Sequence, residues 1–149
     1  MKVGIIGTGL QGGRRAQPMK QFGDELSMVA DVQKNRATLL ADRMGCEATD
    51  DWEKVVSRKD IEAVIVCTPP HLHKPMCLEA LKRGKHVLCE KPLARNPEEA
   101  KEIVTMAEKN KVVLKCGFNL RHHSGLQQAR IWFDQGIIGE LRSVNDLIR

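Results

Sequence analysis

The chain has 149 residues, of which 42% are apolar and 29% are charged, and its formal net charge is +5. This length suits one domain with a sizeable core, and the composition is typical of a globular protein rather than a disordered one. The sequence has no run of 18 apolar residues, which argues against a membrane span. Lys and Arg are scattered beside Asp and Glu along the helical segments, and this mixture of charges argues against a nucleic-acid surface.

The five cysteines form no C-x-x-C pair, and the N-terminal residues lack a signal-peptide pattern. An odd number of cysteines without framework spacing is typical of reduced thiols. We therefore expect a cytoplasmic protein.

Predicted strands and helices alternate along the chain. In chain order they are a strand at 2–7, a helix at 10–22, a strand at 28–31, a helix at 34–44, a strand at 46–48, a short helix from Asp50 or Asp51 to 56, a strand at 61–67, a helix at 71–83, a strand at 86–89, a helix at 97–109, a strand at 112–116, a helix at 121–135 and a final strand at 141–148.

Local signals support several of these boundaries. Pro18 should kink or shorten the first helix, and Gly45 should end the second. Asn96 followed by Pro97 is a strong helix start. Alternating strands and helices predict an α/β fold, a doubly wound parallel sheet of six main strands in the order 3-2-1-4-5-6.

The turn after the first strand has a glycine motif. Gly7, Gly9 and Gly12, with Thr8, Leu10 and Gln11 between them, follow the G-x-G-x-x-G spacing of a dinucleotide-binding turn. Such turns also occur as plain strand–helix corners and in enzymes that bind S-adenosylmethionine. Their functional use is to let the backbone approach a pyrophosphate at the start of a helix.

Asp31 lies nineteen positions after Gly12, close to the spacing of a ribose-binding acid. A carboxylate can accept hydrogen bonds from the ribose of NAD and would repel the 2′-phosphate of NADP. The sequence therefore favours NAD. Arg36 nevertheless lies near enough in sequence to bind the 2′-phosphate of NADP.

A second cluster of unusual residues follows the strand at 61–67. Cys67, Thr68, Pro69, His71 and His73 could form a wall of the cofactor site, or a helix-start turn with surface histidines. A zinc site made by Cys67, His71, His73 and Cys89 would match no closed zinc pattern, so we predict no metal.

Glu90, Lys91 and Pro92 end another apolar strand. A charged pair at this place is costly unless it is used or paired. Lys91 could polarise or protonate a substrate oxygen during hydride transfer, while the alternative is an exposed loop ion pair.

Together these motifs, with Gly117-Phe-Asn-Leu-Arg121, resemble the oxidoreductase family of glucose-fructose oxidoreductase and inositol dehydrogenase. The resemblance covers the whole chain and implies an NAD(P)-binding Rossmann domain. It implies that Lys91 is the catalytic lysine, that Glu90 and Pro92 line the nicotinamide end and that the Lys91–Pro92 peptide is cis. It also implies cofactor-site roles for the remaining motif residues, Thr68, Pro69, His73, Asn119 and Arg121.

The resemblance further implies a sugar, cyclitol or related polyol as substrate and a homo-oligomer in the full-length form. Members carry a second α/β domain that supplies an aspartate and a histidine. We therefore expect residues 1–120 to form the cofactor domain and 121–149 to begin a truncated second domain, which would leave this chain inactive alone. The alternative function is an NAD-binding sensor or partner-binding module without catalysis.

Overall fold

The computed structural model describes residues 1–143 and contains one six-stranded sheet. Its strands all run parallel in the order β3-β2-β1-β4-β5-β6, which confirms the predicted topology. The strands are β1 Lys2–Ile6, β2 Glu25–Ala30, β3 Glu47–Thr49, β4 Ala63–Val66, β5 His86–Cys89 and β6 Leu114–Cys116.

The middle of the sheet is the most deeply buried part of the fold. Ile5 of β1 lies between Val29 of β2 and Ile65 of β4. The side chains of Ile5 and Val29 have no exposed surface. Helices cover both faces of the central strands, so continuous apolar runs are needed there. This arrangement places the carboxyl ends of β1, β2 and β4 side by side at one edge of the sheet.

Within residues 1–143, six α-helices connect or follow the strands. They are α1 Leu10–Ala16, α2 Lys34–Met44, α3 Trp52–Ser57, α4 Pro70–Lys82, α5 Pro97–Asn110 and α6 Ser124–Asp134. The expected end signals are present: the Asn96 side chain accepts a hydrogen bond from the Glu99 N–H at 2.9 Å, and Gly45 ends α2 with φ of 72°. Of the two candidate caps for α3, Asp51 is the one used.

Several boundaries differ from the sequence prediction; the helix expected at 121–135, for example, is Ser124–Asp134, and the strand expected at 112–116 is Leu114–Cys116. Pro18 separates α1 from a 3₁₀ turn at Met19–Phe22, so the long first helix is shortened. β2 begins at Glu25, because the pairing with β1 recruits polar residues that a purely apolar run leaves out. Of the strand expected at 141–148, residues 144–148 lie outside the described residues, and residues 141–143 have no regular structure.

The chain divides into two compact units, Met1–Gly117 and a second that begins at Phe118. The assignment of the second unit to a substrate domain stays a prediction. Among residues 1–143, no helix has both the length and the apolar character that a membrane crossing requires.

Candidate cofactor site

The glycine turn is fixed by close backbone packing at two of its three glycines. Gly7 has φ of 92°, and a Cβ there would lie 2.7 Å from the carbonyl carbon of Cys67. A Cβ at Gly12 would lie 2.0 Å from the carbonyl oxygen of Gly7. Both positions therefore require glycine for the fold itself, because a side chain would collide with backbone.

Gly9 differs from its two partners. It precedes α1 with φ of −64° and ψ of −163°, an extended conformation open to any residue. A Cβ added there would meet no atom within 4 Å. The fold does not need this glycine, so the open space beside it is available to a ligand that approaches the start of α1.

A cavity of about 290 Å³ lies at the carboxyl ends of β1, β2 and β4, next to the glycine turn. Seven residues expected at a cofactor site line it: Gly7, Gly9, Asp31, Arg36, Cys67, Thr68 and Pro69. Further walls that local sequence signals did not reveal come from Ile6, Ala30, Val32, Gln33, Asp50, Trp52, Leu72 and Met76. Apolar walls with two carboxylates, Asp31 and Asp50, suit a nucleoside, since the rings need apolar contact and the ribose needs acceptors.

Some of the missed wall residues could have been found and others could not. Val32 and Gln33 directly follow Asp31, so their place near the cavity follows from the strand end. Trp52 and Met76 lie in helices, and only the three-dimensional packing of α3 and α4 brings them to the cavity.

A second, larger groove of about 750 Å³ borders the same turn between α1 and α2. Thr8, Gly9 and Leu10 line one end of it. Its charged lining residues are Arg14, Arg36 and Arg43. These guanidinium groups produce a positive potential beside the turn, which favours anionic ligands such as phosphates.

Asp31 is held by three hydrogen bonds. Its Oδ2 accepts from the Thr8 backbone N–H at 2.8 Å and from the Thr8 hydroxyl at 2.9 Å, and its Oδ1 accepts from the Gln33 N–H at 2.9 Å. Burial raises the pKa of Asp31, but these hydrogen bonds and the Arg36 charge outweigh it and hold the pKa below its ordinary value. The residue is therefore a fixed, negatively charged acceptor at the cavity wall.

Glu90 and Lys91 have different environments. Glu90 is only 6% exposed and is paired with Arg15 of α1, whereas Lys91 is exposed. The free-energy cost of burying a charge, which we expected for this motif, therefore applies to Glu90 and not to Lys91. Glu90 is paired with Arg15, a residue that the sequence analysis did not identify. The Lys91–Pro92 peptide is cis, as the resemblance implied.

His73 is fully buried, while His71 is exposed; neither lines the 290 Å³ cavity. The Nδ1 atom of His73 lies 2.8 Å from the carbonyl oxygen of Pro92, and its Nε2 atom lies 2.7 Å from that of Thr68. Carbonyl oxygens only accept hydrogen bonds, so a neutral ring donates to one of them and an imidazolium donates to both. His73 therefore joins the loop after β4 to the loop after β5.

The thiols near this edge are poorly suited to act as thiolates. Burial raises the pKa of Cys67 to about 12. A hydrogen bond with Cys77 and burial raise the pKa of Cys89. Because metals and electrophiles react with the thiolate, these environments disfavour both kinds of chemistry.

Leu10 and Gln11 lie in the first turn of α1, where Leu10 is exposed and Gln11 is half-buried. Asn119 and Arg121 belong to the second compact unit, in a 3₁₀ turn at Asn119–His122. Their expected roles at the cofactor stay predictions.

Comparison with known proteins agrees with this geometry. Residues 1–118 match the sequence profile of the oxidoreductase family with an NAD-binding Rossmann fold, which includes glucose-fructose oxidoreductase, inositol dehydrogenase and MocA. Inositol 2-dehydrogenase of Rubrobacter xylanophilus is 37% identical over 123 residues, which cover 80% of this chain and 35% of that protein. Levoglucosan dehydrogenase of Pseudarthrobacter phenanthrenivorans is 32% identical, with coverages of 96% and 39%.

A solved structure is similar over nearly the whole chain. Scyllo-inositol dehydrogenase from Lactobacillus casei, with bound NAD(H) and scyllo-inositol, superposes with a TM-score of 0.87 at 26% identity. The match covers 94% of this chain and 42% of that one. The chain thus spans about two fifths of the length of the relatives it matches.

Proposed function

Because this chain belongs to the oxidoreductase family with an NAD-binding Rossmann fold, we propose that it is the cofactor-binding domain of an NAD-dependent dehydrogenase. The whole protein would transfer hydride between nicotinamide and the hydroxyl-bearing carbon of a sugar, cyclitol or related polyol. The relatives that the chain resembles act on inositols and on levoglucosan, according to their names.

The observation that carries this proposal is the relationship between Gly9 and Asp31. Both line the 290 Å³ cavity, one with open space beside its backbone and the other with a fixed carboxylate. The pyrophosphate would lie against Gly9 at the start of α1, and the adenosine ribose would meet Asp31. The negative charge of Asp31 favours NAD over NADP.

Lys91 has the proposed catalytic role. NAD supplies the hydride acceptor when it is bound, and the chain supplies the groups that bind and orient it. The exposed Lys91 side chain would exchange a proton at Nζ with the substrate oxygen: it would accept the hydroxyl proton when the substrate is oxidised and donate a proton to the carbonyl oxygen in the reverse reaction. Arg15 and Glu90 fix the strand end from which Lys91 projects.

Two further parts of the proposal concern the context of the protein. All five cysteines are free thiols, which suits the reducing cytoplasm. We also propose a homo-oligomer for the full-length protein, with no nucleic-acid or membrane partner.

Titration of the chain with NAD⁺ by calorimetry tests the cofactor assignment. We expect saturable binding to one site, with no heat from S-adenosylmethionine. Binding of S-adenosylmethionine but not NAD⁺ would contradict the proposal, because a methyltransferase also uses a glycine turn.

The catalytic part is tested in the full-length gene product with NAD⁺ and a panel of inositols and sugars. Formation of NADH, reduced at least about 100-fold by Lys91→Met, supports the dehydrogenase. NAD⁺ binding without NADH formation across the panel would favour the alternative, a sensor or partner-binding module.

A further inference from the structure

Thr8 makes two hydrogen bonds to a single oxygen of Asp31. The backbone N–H of Thr8 lies 2.8 Å from Oδ2, and its hydroxyl oxygen lies 2.9 Å from the same atom. The residue belongs to the glycine turn, while Asp31 follows β2, so these bonds join the phosphate-binding turn to the ribose-binding acid. The Thr8 N–H is therefore directed at the carboxylate.

The number of acceptor sites on the carboxylate is limited. An ionised carboxylate has about four lone-pair positions, two on each oxygen. Thr8 uses both positions on Oδ2, and the Gln33 N–H at 2.9 Å uses one on Oδ1. One position on Oδ1 remains, so the carboxylate offers a ribose hydroxyl one acceptor in one direction.

Arg36, at the same cavity, has a charge that would favour NADP rather than NAD. It is exposed, lines the cavity with Asp31 and also lines the groove between α1 and α2. Its guanidinium could pair with a 2′-phosphate, whereas Asp31 repels one. The choice between NAD and NADP therefore depends on whether Asp31 keeps its orientation towards the ribose.

Of the three groups that hold Asp31, two are backbone amides, and the Thr8 hydroxyl is the one that a side-chain substitution removes. We infer that Thr8 is a specificity-determining residue, whose hydroxyl orients the Asp31 carboxylate and thereby sets the preference for NAD over NADP. This inference rests on the proposed NAD-binding function.

The test compares Thr8→Val with Thr8→Ser. Valine has nearly the shape of threonine but lacks the hydroxyl, and serine restores it. For each variant, the dissociation constants of NAD⁺ and NADP⁺ are measured by calorimetry at one fixed ionic strength, because salt screens phosphate contacts. Circular dichroism melting shows that each variant is folded under the titration conditions.

We expect Thr8→Val to reduce the preference for NAD⁺ by about tenfold, the effect of one hydrogen bond to a charged group. Thr8→Ser should restore most of the preference. If the Thr8 hydroxyl had a purely structural role, its loss would weaken the binding of NAD⁺ and NADP⁺ equally. The ratio of the two dissociation constants would then be unchanged.

An unchanged ratio of the NAD⁺ and NADP⁺ dissociation constants in Thr8→Val would overturn this inference alone. A loss of NAD⁺ preference in Thr8→Ser as large as that in Thr8→Val would do the same. Failure of the unaltered chain to bind either dinucleotide would overturn the proposed function and this inference with it. The two failures are therefore distinguishable in one set of titrations.

Discussion

Arg15 of α1 and Glu90 at the end of β5 form a charged pair that crosses the carboxyl-terminal edge of the sheet. The Nε of Arg15 donates to Glu90 Oε1 at 2.9 Å, and Nη2 donates to the same oxygen. The glutamate side chain is 8% exposed and the arginine side chain is 24% exposed. Because Lys91 directly follows Glu90, this pair fixes the backbone from which the proposed catalytic lysine projects.

Glu90→Gln should lower the free energy of unfolding by about 1–3 kcal/mol, because glutamine keeps the shape but loses the charge opposite Arg15. Urea unfolding of Glu90→Gln, Arg15→Met and the double variant measures the coupling between the two side chains. Arg14→Met is the control, since Arg14 is exposed one residue earlier and should change stability by no more than about 0.5 kcal/mol. Additive effects of the two substitutions would contradict the pairing.

Gly117→Ala should destabilise the protein through Glu90. A Cβ at Gly117 would lie 2.7 Å from Oε2 and 2.9 Å from Cδ of the buried glutamate. Relieving this contact should cost about 1–3 kcal/mol. In Gly13→Ala, the matched control in α1, the new Cβ meets nothing within 4 Å, so thermal unfolding should show equal or higher stability. Equal melting temperatures for Gly117→Ala and the unaltered chain would show that Glu90 is not confined there.

His73→Leu should lower the free energy of unfolding by about 2–4 kcal/mol, because the carbonyl oxygens of Thr68 and Pro92 lose their buried partner. His71→Leu, at an exposed position of the same helix, should change it by no more than about 0.5 kcal/mol. Denaturant unfolding of both variants gives the comparison. Similar losses in the two would indicate that His73 does not join the two loops.

The lowered pKa of Asp31 predicts a pH-dependent contribution to stability. A carboxyl group whose pKa is lower in the folded state stabilises the fold above its ordinary value of 3.8, and this stabilisation disappears as the pH falls through the folded-state pKa. The difference in unfolding free energy between the unaltered chain and Asp31→Asn should therefore be constant between about pH 5 and 7 and shrink below about pH 4. A difference that grows on acidification would contradict the assigned hydrogen bonds.

The sheet order was predictable from sequence because strands and helices alternate along the chain and the central strands β1 and β4 are short, largely apolar runs. Gly45 and Asn96 act in the fold as their positions predicted. The start of β2 was not predictable from apolarity, since Glu25 and Ser27 join the strand through pairing alone.

The site was predictable where it depends on local motifs. Gly9, Asp31 and Thr68 all line one cavity, as their places at neighbouring strand ends required. The pairing of Arg15 with Glu90 spans 75 residues of sequence, and no local pattern indicates it. The burial of His73 was likewise not predictable from a local pattern, because its two partners, the carbonyl oxygens of Thr68 and Pro92, lie on different loops.

The most direct test of the cofactor site is NAD⁺ affinity measured with melting temperature in Gly9→Ala. A Cβ at this position meets nothing within 4 Å in the folded chain, so the fold should keep its melting temperature. The same Cβ would occupy the space through which a pyrophosphate approaches the start of α1, so we predict at least about a tenfold loss of NAD⁺ affinity. Unchanged NAD⁺ affinity in a folded Gly9→Ala variant would contradict the central claim that this turn binds the dinucleotide.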